Sequence, residues 1–330
     1  VVTLKKQSKV MGAREAIERF VHDGDLITFG GFTITRNPMG LCHEIIRQGK
    51  KDLHVAVHSQ GQAFDLLIGA GCVSILEVAY GGTARFSPGG GPCFRRAIET
   101  GRVLFEDYTN FQMTLRFLAG AMGVPFLPMR GSQETDVVKK WGISPEIRKS
   151  NPRLPERKLS AVKNPFAGSE DGEELIAVPA LRPDVALIHA HQADPEGTVR
   201  FKGLTFTDVE QIKASKRVIV SCEELVDPDT LRKDPVQNQI PFFMVDAVVP
   251  MPFGAHPTAC YGYYDYDPGH MKLYAERAKS EATLKTYLET YVFGTRDHGE
   301  YLALIGDDTL NRLRADPEVG YAPGLDRSGG

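Results

Sequence analysis

The feature that most constrains this chain is an alternation, sustained from residue 13 to residue 122, of helix-spaced apolar residues with apolar runs too short to be helices. Ala13, Ala16, Ile17, Phe20 and Val21 recur at helical spacing, Asp23-Gly24-Asp25 breaks the helix, and Leu26-Ile27-Thr28-Phe29 follows as a buried strand. Gly30-Gly31-Phe32 ends that strand, and Pro38 opens a helix whose Leu41, Cys42, Ile45 and Ile46 face inward. Strands over 53–57, 73–76 and 103–105 and helices near 64–68 and 94–98 continue the pattern, and Phe111, Leu115, Leu118 and Met122 mark another helix. Strand-like runs return at 185–188, 218–220 and 246–249, and Leu284, Tyr287, Leu288 and Tyr291 mark a late helix. Such alternation predicts an α/β fold: an open, mostly parallel sheet covered by helices on both faces.

Between residues 129 and 174 the periodicity fades into proline, lysine and glutamate, which predicts a long surface excursion that is functional or packed on a partner. We read residues 1–330 as a single domain with a frayed tail near 320–330. Thirty-nine basic and 42 acidic residues are mixed along the chain, which leaves no basic face for nucleic acid. No apolar run approaches the roughly 20 residues that span a bilayer. Lys5, Lys6 and Lys9 precede no signal-like apolar core, so the expectation is a soluble, cytoplasmic protein without a membrane partner. Cys42, Cys72, Cys93, Cys222 and Cys260 are widely spaced and read as buried thiols.

Gly30 and Gly31 stand where a strand meets a helix start, a place where backbone N–H groups can approach a ligand closely; a plain tight turn is the alternative. The order strand, Gly30-Gly31-Phe32, three residues, Arg36-Asn37-Pro38 is more specific. It resembles a signature of the family I coenzyme A transferases, and its Arg-x-Pro form resembles the A subunits of the glutaconate type. The signature asks for a small apolar residue where this chain has Thr28 and for glycine where it has Arg36. The resemblance continues through residues 106–108, 123–128, 141–144, 163–166, 189–200, 222–224, 254–257, 260–262 and 264–267.

The resemblance implies a CoA-transferase-like fold and an A–B site between chains, in an (A–B)n hetero-oligomer. Acyl-CoA and a free carboxylate are its substrates, and no metal or bound cofactor is required. It further implies that the acyl-CoA is attacked by a glutamate of the B subunit, forming an anhydride and then a glutamyl-CoA thioester, with ping-pong kinetics. A dicarboxylic, glutaconate-like acyl group is the expectation. A heteromeric acyl-CoA hydrolase or decarboxylase on the same fold is the first alternative. A non-catalytic acyl-CoA-binding or regulatory subunit is the second.

Ser59-Gln60-Gly61 follows a strand as the family's catalytic Ser-Glu-Asn-Gly segment does in the other half of these enzymes. An amide cannot serve as that nucleophile, so this half is expected to supply binding and shape. Tyr80, with Phe32, Ser59 and Gln60, is expected near the substrate. The glycine-rich run through Arg85 offers room for an acyl chain, with Arg85 clamping a distal carboxylate, or else is a surface loop. Glu106 closes a strand where a carboxylate can face the cleft, and in hydrolases that resemble the family a carboxylate of this region takes part in chemistry; a structural role is the alternative. His189-Ala190-His191 reads either as a metal-binding pair or as histidines hydrogen-bonded within the fold, and the resemblance favours the latter.

Overall fold

A computed structural model describes residues 8–168 and 172–327. Lys5, Lys6 and the last residues of the expected tail, 328–330, lie outside them. Seven parallel strands form the main sheet: β1 (Leu26–Phe29), β2 (Leu53–Gln60), β3 (Val73–Gly81), β4 (Leu104–Asp107), β8 (Val185–Ala193), β10 (Arg217–Leu225) and β11 (Ala247–Pro250). Their order is β11-β10-β8-β1-β2-β3-β4, and the two-residue β9 (Val199–Arg200) runs back along the end of β8. Residues alternate between two covered faces. Val55 and Val57 pack with Ile17, Leu41 and Leu66 on one side, while Ala56 packs with Met113, Phe117 and Ala214 on the other. Burial on both faces is why the strands read as continuous apolar runs.

The excursion is not bare coil. Strands β5 (Phe126–Met129), β6 (Ser160–Lys163) and β7 (Glu174–Pro179) form a small antiparallel sheet in the order β5-β7-β6, and helices Asp136–Lys139 and Pro145–Ser150 lie between them. Each piece is too short to show a period. The helix expected from Phe111 to Met122 spans Asn110–Met122, capped by reciprocal bonds between Thr109 and Gln112, but its buried face is Met113, Arg116 and Phe117. Phe111 and Met122 are instead 54% and 59% exposed. Arg116 turns inward because Glu77, fully buried on β3, needs a cation, and the two meet at 2.7 Å. Nor is all of 320–327 frayed: Ala322 is buried, and Tyr321 packs its ring 5.3 Å from that of Tyr261.

After β1 the chain adds β2, β3 and β4 outward on one side, then returns to place β8 on the other flank of β1. The crevice between the C-terminal ends of β1 and β8 is therefore the topological switch point, where open α/β sheets bind ligands.

Candidate active site at the switch point

The glycine turn lies at this crevice. Gly30 N–H donates to Leu187 O on β8 at 3.0 Å, and Gly31 N–H donates to Asp208 Oδ1 at 2.8 Å. Both donors expected to meet a ligand are thus used within the fold. Gly31 has φ +83°, and a Cβ there would stand 2.4 Å from Thr35 O, so only glycine fits. From β2, Gln60 donates Nε2–H to Phe29 O at 3.2 Å and Gly30 O at 2.5 Å, pinning the end of β1 from below. A carboxylate at that position would face two carbonyl oxygens. The amide in place of the family's glutamate is therefore a structural requirement here.

Arg36 departs from the signature's glycine yet keeps a glycine-like backbone, with φ +50°. Its buried guanidinium gathers three segments: Nη1 donates to Asp208 Oδ2 at 2.6 Å and His189 O at 3.1 Å, and Nη2 donates to Leu204 O at 2.8 Å. Thr28, the other departure, uses its hydroxyl to accept from Gln211 Nε2 at 2.8 Å. Phe32 stacks on Phe206 at 4.6 Å between ring centres. Thr33 and Phe206 join Arg36 at positive φ (46° and 49°). Three non-glycine residues in this region, at about 1–3 kcal/mol each, concentrate backbone strain as functional sites do.

A cavity of about 310 Å³ opens beside them, lined by Arg36, Lys202, Leu204, Phe206, Tyr261 and Tyr321 among others. One carboxylate, Asp265, lines it and a second, Asp208, stands behind Arg36; both are engaged. Asp208 holds Arg36 and Gly31 N–H, while Asp265 holds Arg327 and accepts from Ala322 N–H at 3.2 Å. Behind the cavity His189 Nε2 lies 2.6 Å from Glu223 Oε1, which also accepts from the Tyr264 hydroxyl at 2.7 Å, while Glu223 Oε2 accepts from Phe253 N–H. His189 Nδ1 lies 2.9 Å from Ser221 Oγ. His191 accepts from Lys202 N–H through Nδ1, and its Nε2 faces Tyr261 O. Burial, helped by the Arg36 charge, pushes His191 down to about 2, so it stays neutral. Ligand atoms of His189, Glu223 and Cys260 lie within 4.8 Å of one another, but the imidazole and the carboxylate are committed to the bonds just described. Larger clefts lie elsewhere: one of about 960 Å³, beside Asp184 and Arg217 at the opposite ends of the strands, does not touch the switch point.

Residues 10–250 match the family described as coenzyme A transferase. The chain belongs to that family. It is 41% identical over 317 residues to the A subunit of glutaconate CoA-transferase from Acidaminococcus fermentans, covering 95% of this chain and 97% of that one. It is 35% identical over 305 residues to the A subunit of 3-oxoadipate CoA-transferase from Pseudomonas knackmussii, covering 91% and 99%. The crystal structure of the Acidaminococcus fermentans glutaconate coenzyme A-transferase superposes with a TM-score of 0.92 at 40% identity, over 97% of this chain and 99% of that one.

In this CoA transferase chain the other expected residues separate into two groups. Phe32, Ser59 and Gln60 stay at the C-terminal edge around the switch point. Ser59 Oγ donates to Asn110 Oδ1 at 2.8 Å, and Tyr80, its partner in the β2–β3 register, is 40% exposed at the same edge. Arg85 and Glu106 are positioned otherwise. Arg85 donates Nη1–H to Arg327 O and Nη2–H to the Tyr266 hydroxyl, both at 2.6 Å, so the C-terminal segment occupies its fork. The glycine-rich run also spends its own donors: Gly82 N–H goes to Gln60 O and Gly91 N–H to Gly81 O.

Glu106 does not face the crevice. It is fully buried on edge strand β4, three strands from β1, with Arg148 Nη2 at 2.6 Å, Lys158 Nζ at 2.9 Å, and the N–H groups of Gly142 and Ile143 at 3.0 and 3.2 Å. Its partners come from the excursion, whose basic residues give no sign in the sequence of which carboxylate they will meet. Asp208 and Lys202 were missed for the same reason: neither belongs to a local pattern, and only topology brings them to Arg36, while Tyr261 stood in the 260–262 match without a role.

Proposed function

We propose that this chain is the A subunit of a heteromeric CoA transferase that moves CoA between an acyl-CoA, of a dicarboxylic glutaconate-like acid, and a free carboxylate, the nucleophile being a glutamate of the B subunit. One observation carries the reading: the switch-point cavity is built and strained like a substrate site, yet Asp265 on its lining and Asp208 behind Arg36 are both neutralised by arginines and N–H donors. A carboxylate held that way is a poor nucleophile, so the attacking oxygen comes from another chain. That carboxylate attacks the thioester carbonyl, giving a mixed anhydride and CoA thiolate. The thiolate attacks the glutamyl carbonyl, expels the acyl carboxylate and leaves a glutamyl-CoA thioester, from which a second carboxylate takes the CoA. No metal or organic cofactor enters these steps. The half-exposed stripe of Phe111, Leu115, Leu118 and Met122 begins beside Ser59 and suits a partner's cover.

The test is to incubate this chain alone, and the A–B complex, with an acyl-CoA and then locate the CoA adduct by intact-chain mass spectrometry. The adduct is expected on the B chain only, with turnover only in the complex. Turnover by this chain alone, or an adduct on it, would overturn the assignment. Release of free acid without transfer would make the enzyme a hydrolase.

A further inference from the structure

The cavity at the switch point has an asymmetry in its charges. Arg36 is paired with Asp208 and donates to two carbonyls, and Asp265 is held by Arg327. Lys202 lies on its rim, exposed, just past the end of β9. Its ammonium has no carboxylate within ion-pair distance among the described residues and rests 4.7 Å from the centre of the Tyr263 ring. Its backbone is fixed nonetheless, because Lys202 N–H donates to the neutral His191 at 3.0 Å. The root of the side chain is therefore anchored while its charge remains available. Apolar and aromatic side chains line it beside the lysine: Leu204, Phe206, and Tyr261 with its ring neighbour Tyr321. Tyr261 is itself wedged, since a Cβ on Gly203 or Gly320 would come within 3.2 or 2.7 Å of its ring. A short apolar trough with one cation at its rim is complementary to a short carbon chain ending in a carboxylate.

We propose that this cavity receives the acyl chain and that Lys202 pairs with the carboxylate at its far end, making Lys202 the residue that selects dicarboxylic over monocarboxylic acyl groups. This rests on the transferase reading above and adds to it the location of the acyl end and the group that reads its charge. Arg36 also lines the cavity, but its charge is already paired with Asp208.

The test compares wild type, Lys202→Met and Lys202→Arg in the A–B complex, with glutaryl-CoA and valeryl-CoA as CoA donors of similar chain length. Lys202→Met should lower kcat/KM for glutaryl-CoA by about tenfold or more, mostly through KM, and change valeryl-CoA by less than about twofold. Lys202→Arg should keep most of the preference, because it keeps the charge. Calorimetric titration of free glutarate and valerate into the same complexes reads the pairing without turnover, so it stays informative if the complex proves to be no transferase. An equal loss on both acids, or unchanged glutarate binding in Lys202→Met, would overturn the role of Lys202. Absence of CoA transfer with normal glutarate selectivity would instead sink the transferase reading and leave this site standing.

Discussion

Two buried carboxylates each meet an arginine at 2.6 Å, Glu106 with Arg148 on the edge strand β4 and Asp208, first residue of the helix Asp208–Ala214, with Arg36 at the switch point. Judged by burial and ion-pair distance the two clusters are alike. Their surroundings differ. Around Glu106 the excursion closes a plug of Ile75, Ile143 and Leu154, and all four donors point at the carboxylate. Around Asp208 the pair braces a turn at positive φ, and a cavity with an uncommitted lysine opens next to it. The lesson is that a buried charge marks a site only where topology leaves a crevice and the backbone carries strain nearby; elsewhere it joins segments.

The hardest test of that contrast is Glu106→Gln. It removes one negative charge and leaves Arg148 and Lys158 buried with a neutral amide, a change of the kind that costs about 3–5 kcal/mol. The lower end is expected, because Asp107 lies 3.0 Å from Lys158 and keeps part of the compensation. Urea unfolding of the complex should show the loss, while turnover per folded molecule stays within about twofold. An intact unfolding curve with turnover gone would return Glu106 to the chemistry and erase the contrast.

Gly31→Val comes next. The valine would need φ near +83° and would press its Cβ onto Thr35 O, at about 1–3 kcal/mol for the backbone alone. Since Gly31 N–H is spent on Asp208, activity should fall only in proportion to the folded protein. Thermal unfolding and turnover measured on one preparation separate the outcomes. A folded complex that has lost activity tenfold would show that the turn itself contacts substrate.

The open parallel sheet and the glycine turn were legible in the sequence because apolar runs and punctuation are local signals. Strand ends were less so. β2 and β3 extend past Val57 and Leu76 to Gln60 and Gly81, where backbone pairing continues through the polar residues His58 and Glu77 that interrupt the apolar runs. Helix Asn110–Met122 was read correctly as a helix, but the apolar stripe that marked it is not its buried face, because one charge, Glu77, draws Arg116 inward. In the site, Arg36 was noticed as a departure from a signature and as part of the Arg-x-Pro form, with no contact assigned to it. Its partner Asp208 lies 172 residues away and carries no local signal at all. Long-range ion pairs are set by topology, so periodicity cannot reveal them.

The smallest expected effect sharpens the comparison between two cations, Lys202 at the cavity and Arg85 on the glycine-rich loop, to which the clamp was first assigned from the sequence. Arg85 stacks on Phe86 and Tyr266 and donates to carbonyls of Asp326 and Arg327, so it ties the glycine-rich loop to the C-terminal segment that roofs the cavity. Arg85→Met would remove hydrogen bonds at a partly exposed position, a net loss of about 1 kcal/mol. Loosening the roof affects every acyl chain alike. Rates with glutaryl-CoA and valeryl-CoA should therefore fall by the same factor, less than about threefold, where Lys202→Met separates the two substrates. If Arg85→Met instead spares valeryl-CoA and damages glutaryl-CoA selectively, the charge-reading residue belongs to the glycine-rich loop, and the C-terminal segment must move aside for substrate to reach it.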